Sequence, residues 1–501
     1  MTFPATDGIT DRLQALFAYD ASSPLIFSSG LFLFLFAGFL LVYSVFRRAP
    51  MARIVYVIAF SLYFYYKSSG IYFLLLVFAA ASDFLIARGI YRARFRWTKR
   101  WLVVLSVAVN LGMLGYFKYT NFLIDISNQL FGQGFLQFQN IFLPVGISFF
   151  VFQSMSYTID IYRGQLKPLS NWLDYLFYLS FFPQLVAGPI VRARDFIPQI
   201  RQNPVVVTRE MFGTGVFLIL TGLFKKAIIS DYISLNFVDR IFDEPLLYSG
   251  FECLMGIYGY ALQIYCDFSG YSDMAIGLGK MMGFDYPRNF NYPYTSKSAT
   301  EFWRRWHMSL GSFFRDYVYI PLGGNRVSTP RFIFNMMVVW GLTGIWHGAA
   351  WNFLLWGLYW GALILLEKFF MLRALDRLPT FISHIWCIVL FFFGWLLFSV
   401  TGLSNVVEWT KGMFGAYGLL GTSTLWELQS WSYVSLIPVM IIGSLPWAPW
   451  LRKKLEAWAE GNSRRHVMAA PQKGNSAVPP CQAEPVSYIC LLYTSDAADE
   501  R

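Results

Sequence analysis

The sequence predicts an all-α protein: a multi-pass transmembrane helical bundle of about 11–13 membrane segments, with short re-entrant or interfacial helices between them. Three observations carry that reading. Charged residues are only 14% of the 501, against roughly 25% in an ordinary soluble domain. Apolar residues make up 56%, and the 50 Phe, 30 Tyr and 18 Trp exclude disorder. The apolar residues are also bunched, in runs near the roughly 20 residues that a helix needs to cross a bilayer. A soluble globule with so little charge could not cover its surface.

The runs fall at 24–46, 54–66, 69–87, 101–121, 141–162, 212–234, 250–268, 332–346, 351–370, 382–401 and 432–450. The run 171–187 is shorter and ends in Gly188-Pro189, so it reads as re-entrant or tilted. The segment 269–331 is too polar to span and too aromatic to float free, which predicts short helices lying at or dipping into the membrane. Seven stretches between runs (47–53, 88–100, 163–170, 188–211, 279–331, 371–380 and 452–465) hold 30 of the 40 Lys and Arg residues. The opposite stretches hold at most one each. That asymmetry predicts basic loops in the cytoplasm and an N-terminus outside. It also absorbs the net charge of +11, which therefore implies no nucleic-acid partner.

The chain divides into three regions. Residues 1–23 form an extracytoplasmic N-terminal segment that lacks the basic start of a signal peptide. Residues 24–460 form the membrane domain. Residues 461–501 are a Pro- and Ala-rich linker and a tail that reads as a truncated last helix joined to foreign sequence. Cys253, Cys266, Cys387, Cys481 and Cys490 form no CxxC pair and read as small buried hydrophobes. No internal repeat or matched pair of broken helices points to a transporter.

Only four histidines occur: His307, His347, His384 and His466. His347 sits in GIWHGAAWN between two apolar runs, and an imidazole at such depth marks a functional site by default. Small residues Gly348, Ala349 and Ala350 clear space beside it, and neutral imidazole is the usual general base for a hydroxyl nucleophile. A histidine that joins two helices and bonds a backbone carbonyl accounts for the position equally well. His307 closes EFWRRWH, where Arg304 and Met308 would flank one helical face and Glu301 and Arg305 would pair. An interfacial Trp/Arg anchor accounts for the cluster but not for the histidine.

Downstream, Gly323-Gly324-Asn325 marks a tight turn. With Arg315 and Arg326 it could hold the phosphates of a nucleotide-like donor, although a Gly-Gly turn alone is also a plain loop. Asp267 and Asp273 at the end of an apolar run read as partners for Arg304 or Arg315, or as a polar lining. Lys225-Lys226 reads as a kink or as snorkelling to the interface. The histidines lack the spaced partner ligands of a metal site, and no GxSxG elbow is present.

These stretches resemble the membrane-bound O-acyltransferase (MBOAT) family, and within it the membrane subunits of bacterial alginate O-acetyltransferases. The likeness rests on LPVGISFFVFQSMSYTIDIYRG at 143–164, FFPQLVAGPIVR at 181–192, YALQIYCDFSGYSDMAIGLGKMMGFDYPRNFNYPY at 260–294, EFWRRWHMSLGSFFRDYVYIPLGGNR at 301–326 and GIWHGAAWNFLLWG at 344–357. It spans roughly residues 24–460. The resemblance implies a helical bundle with a tunnel, in the cytoplasmic (inner) membrane of a bacterium. It implies His347 as the catalytic histidine and His307 as the assisting one. Arg304, Arg305, Arg315, Asp316, Asn325, Asp267, Trp346 and Asn352 are candidates for holding donor or substrate. An acyl thioester such as acetyl-CoA would be the donor, with no bound cofactor. The acyl group would pass to an extracytoplasmic polysaccharide, with periplasmic acetyltransferase proteins as partners. The family's last helix and aromatic tail are missing here. D-alanyl transfer to teichoic acid and polysaccharide export are the competing readings.

Overall fold

The computed structural model describes residues 16–416 apart from 187, together with residues 438 and 454. By its internal contacts the chain divides into Met1–Leu445 and Pro446–Arg501, and all the elements described belong to the first unit. The start of the N-terminal segment, the predicted run 432–450 and the tail with His466, Cys481 and Cys490 lie outside the described residues, apart from the two isolated positions 438 and 454.

Every regular element among the described residues is helical. The chain runs through α1 (Gly30–Val45), α2 (Pro50–Ser69), α3 (Phe73–Arg92), α4 (Arg96–Leu114), α5 (Thr120–Phe131) and α6 (Ile147–Tyr162). It continues through the short α7 (Trp172–Ser180), α8 (Phe182–Leu185) and α9 (Ala193–Ile200). Then come α10 (Arg209–Leu223), α11 (Gly250–Met281), α12 (Ala299–Arg305) and α13 (Met308–Phe314). The last are α14 (Thr329–His347), α15 (Trp351–Leu366), α16 (Thr380–Ser399) and α17 (Leu403–Met413).

Six stretches among the described residues are long and apolar enough to cross a membrane: Gly30–Arg48, Pro50–Arg92, Arg96–Phe131, Arg209–Asp243, Trp351–Leu375 and Thr380–Ser399. The protein is a multi-pass membrane protein. Gly70 (φ +59°) breaks Pro50–Arg92 into α2 and α3, each about 30 Å long and so enough for one crossing. The predicted re-entrant run 171–187 is the buried pair α7 and α8, parted at Phe181. At 9 residues, α7 is too short to span.

Boundaries differ from the sequence reading at 212–234, where α10 ends at Leu223 and a π-helical turn follows, and at 250–268. The predicted run 250–268 does not stop at Phe268; α11 continues unbroken for 32 residues to Met281. Its polar stretch DFSGYSD is tolerated because the facing helix satisfies it. Small residues let the two backbones meet. A Cβ added at Gly222 would lie 2.5 Å from the Gly270 carbonyl oxygen, and one at Gly277 would lie 2.6 Å from that of Gly215. Substituting Leu at Gly222 or Gly277 is expected to cost about 1–3 kcal/mol or more by forcing the helices apart. Gly213→Leu, where nothing lies within 4 Å, is expected to be tolerated. Thermal stability of the detergent-solubilised variants checks both.

Buried polar groups tie the N-terminal half together. Asp83 on α3 is fully buried. It accepts hydrogen bonds from Ser106 (2.6 Å) and Asn110 (2.6 Å) on α4 and from Ser154 on α6. Ser154 in turn meets the Tyr175 hydroxyl on α7 at 3.0 Å. Away from water each such group needs its partner. Glu367, just beyond α15, does similar work for α12. It accepts the backbone N–H groups of Ala299 (2.7 Å) and Thr300 (3.0 Å) at that helix's start, and the indole N–H of Trp386 (3.2 Å).

Candidate active site

His347 is the last residue of α14. The α14–α15 hairpin that carries it is packed at backbone distance. A Cβ on Gly344 would sit 2.3 Å from the Phe353 carbonyl oxygen, and one on Gly357 would sit 2.2 Å from that of Trp340. The imidazole lies edge-on among aromatic rings, with centroids 4.9 Å from Trp346, 4.9 Å from Trp356 and 5.3 Å from Phe398. It is partly buried and lines a half-open cavity of about 340 Å³ together with Lys118, Asp267, Phe268 and Trp346.

Two further cavities are walled by residues next to His347 in the chain. An apolar cavity of about 440 Å³ shares Trp346 and runs along Phe152, Phe313 and Tyr317. Another, of about 570 Å³, begins at Ala349 and Ala350 and has Asn121, Asp125, Asn352 and Thr401 on its wall.

His307 lies behind the central cavity. Its ring is 4.7 Å from Phe268 and 6.0 Å from Trp346, centroid to centroid. The expected helix through EFWRRWH breaks before it. His307 has φ +44°, in the left-handed region, between α12 and α13. The cause is a pairing with 289–291: Met308 donates to the Asn289 carbonyl (2.9 Å), and Asn291 donates to the Arg305 carbonyl (2.9 Å). Asn289 also accepts through Oδ1 from the Ser309 backbone N–H (3.3 Å) and hydroxyl (2.9 Å), and stands 3.0 Å from His307 Nδ1. A backbone N–H can only donate, so Oδ1 faces this group and Nδ1 must carry the proton. The Nε2 lone pair is left buried, with no hydrogen-bond partner among the described residues.

Other predicted residues fall elsewhere. The Glu301–Arg305 pair forms at 2.5 Å, and Arg305 also bonds Thr295. Arg304 is exposed. Asp267 and Asp273 do not neutralise Arg304 or Arg315. Asp267 pairs with Lys226 (2.7 Å) and Asp273 with Lys225 (2.6 Å). The π-helical turn Phe224–Ser230 carries both lysines and packs against α11, so they are paired within the bundle. The turn at Gly323-Gly324 forms, but its N–H groups are spent on the carbonyls of Ile320 and Tyr319. Asn325 is exposed, and those two N–H groups are not free to bind a phosphate. Arg315 is 63% exposed and bonds Asp316 at 2.8 Å. It does not line the cavity of His347. Asp316 also binds Arg192 at 2.5 Å and approaches Arg194 at 4.0 Å. Arg163 and Arg192 lie over the Tyr317 ring at 5.2 and 5.7 Å.

Lys118 and Asn289 are site residues that the sequence reading missed. The signal for Lys118 was present: a lone lysine inside the apolar run 101–121, as costly in a membrane as Lys225-Lys226. Asn289 in YPRNFNYP carries no comparable signal.

The family model for MBOAT, the membrane-bound O-acyltransferase family, matches residues 129–407. The chain belongs to the membrane-bound O-acyltransferase family. Asn289, His307 and His347 all lie within the match. The acyltransferase is 38% identical over 419 residues to the probable alginate O-acetylase AlgI of Azotobacter vinelandii, covering 82% of each chain. It is 38% identical to the protein of the same name from Pseudomonas aeruginosa, covering 81% of this chain and 77% of that one. A peptidoglycan O-acetyltransferase of Helicobacter pylori is 33% identical, over 79% of this chain and 81% of its own.

Proposed function

We propose that this membrane O-acyltransferase moves an acetyl group from a cytoplasmic thioester, acetyl-CoA, to hydroxyls of an extracytoplasmic polysaccharide, with His347 as the general base. The observation that carries the reading is an imidazole on the wall of a cavity whose chain neighbours line two more: an apolar one that shares Trp346, and one with Asn121, Asp125 and Asn352 on its wall. The names of the relatives support acetyl as the group and a cell-surface or secreted glycan as the acceptor.

The basic-loop asymmetry supports an orientation in a bacterial inner membrane with the N-terminus outside. In that orientation the apolar cavity reaches Tyr317, over whose ring Arg163 and Arg192 lie, and the cavity at Asn121 and Asp125 would face outward. Arg163, Arg192 and Arg194 then meet the phosphates of the donor. The acyl thioester lies along Phe152 and Trp346. The acceptor hydroxyl enters past Asn352, loses its proton to His347 and attacks the thioester carbonyl. A tetrahedral intermediate forms, and its collapse expels the thiolate, which takes up the proton. His307, its proton fixed on Nδ1, holds the Trp346 wall and the reacting groups in register. Periplasmic acetyltransferase partners would take up or direct the acyl group outside.

Mild base treatment of the host's surface polymers tests the reading. Deletion of the gene should abolish released acetate while the polymer is still made. Release of D-alanine instead would favour the teichoic-acid reading, and loss of the polymer itself would favour export. The donor path has its own check. Arg163→Ala with Arg194→Ala is expected to raise KM for acetyl-CoA about tenfold, with kcat little changed, and to weaken the salt dependence of KM.

A further inference from the structure

The helix that carries His347 ends without a backbone cap. Gly348 is extended (φ −161°), so the last carbonyls need donors from elsewhere. A neighbouring helix supplies them. Lys118 Nζ donates to the carbonyl of Trp346 and, at 3.0 Å, to that of His347. The Tyr119 hydroxyl donates to the carbonyl of Ile345 at 2.5 Å. Both side chains come from the π-helical turn Gly115–Tyr119 between α4 and α5. Such a turn adds one residue and so rotates the downstream helix by about 100°, which re-aims side chains that α-helical continuation would send elsewhere.

The charge suits its place. An ammonium at a helix C-terminus meets the negative end of the dipole. Lys118 also sits 5.8 Å from the centre of the Trp346 ring and lines the same cavity as the imidazole. It lies before the first residue of the family match. We propose that Lys118 is a positioning residue for acyl transfer, clamping the backbone of Trp346 and His347 so that the imidazole meets both reactants, with Tyr119 as the second jaw of the clamp. This rests on the reading of His347 as base.

The test uses the full-length protein in inside-out membrane vesicles, with acetyl-CoA as probe and thiol release as readout. Lys118→Met should lower kcat about 100-fold, the scale of a small misplacement of a reacting group. KM for acetyl-CoA should stay nearly constant. Lys118→Cys should be equally slow, and 2-bromoethylamine should restore it: the thiolate displaces bromide and the product carries an ammonium again. Methyl methanethiosulfonate, which adds no charge, should not. Cys253, Cys266 and Cys387 are buried, and treated wild-type protein controls for all five native cysteines. A wild-type kcat in Lys118→Met would overturn the assignment. So would complete aminoethylation of Lys118→Cys without recovery, which decides the matter if the Met variant does not fold. His347→Ala is measured beside them. If it keeps full activity, the base reading fails; if it is inactive while Lys118→Met is not, only the clamp fails.

Discussion

His347→Ala is expected to lower acyl transfer about 10²–10⁴-fold, the usual contribution of a positioned general base, while the protein accumulates normally in the membrane. The two halves of that expectation have different origins. The chemical loss follows from the cavity: no other imidazole among the described residues lines it, Lys118 and Asp267 are engaged with carbonyls and with Lys226, and the Tyr271 phenol on its wall is far too weak a base to replace the imidazole. The structural tolerance follows from the contacts. The ring touches aromatic faces at 4.9–5.3 Å, and the helix end is held through its carbonyls, which alanine keeps. Acetate released by mild base from the polymer of a complemented strain, set beside the membrane content of the variant, reads both.

Asn289→Leu is the second large effect. The side chain is buried, and its Oδ1 serves His307 and both donors of Ser309. Leucine is close in size but accepts nothing. The Ser309 N–H loses one partner, and His307 loses the bond that fixes its tautomer, although the backbone pairing that holds its left-handed conformation remains. Leaving buried donors unmet costs about 1–3 kcal/mol each. Stability should fall by a few kcal/mol, and transfer by about 10²-fold in the protein that still folds, as the wall behind Trp346 shifts. Asn289→Asp keeps the acceptor and should recover part of the activity. Thermal melts and acetate release on the pair separate the structural loss from the functional one.

The fold is legible where composition speaks directly. Apolar runs locate α2, α3, α14, α15 and α16 within about five residues and overlap α1, α4 and α10, because a bilayer demands length and apolarity and little else. Sequence misleads where partners from distant parts of the chain replace those demands. The polar end of α11 looks like a loop, since nothing local announces that Lys225, Lys226 and a glycine seam will meet it. EFWRRWH looks like one helix, since the pairing of 289–291 with 305–308 that breaks it is a tertiary event. At the site, His347 stands out because burying an imidazole between apolar runs is costly unless it faces a cavity. Arg315 and the Gly323-Gly324 turn lie apart from that cavity. Arginines and glycines are common at interfaces; here Arg315 bonds the adjacent Asp316, and the glycine N–H groups close a local turn.

Whether His347 faces an acyl thioester inside the membrane is tested most directly by a structure of the full-length protein with a ketone analogue of acetyl-CoA, in which a methylene separates sulfur from carbonyl. The carbonyl is expected in the cavity bounded by His347, Trp346 and Lys118, with a ring nitrogen about 3–3.5 Å from the space the acceptor oxygen must occupy. An analogue bound elsewhere, with side chains closing the cavity around His347, would contradict the assignment of this imidazole as the base.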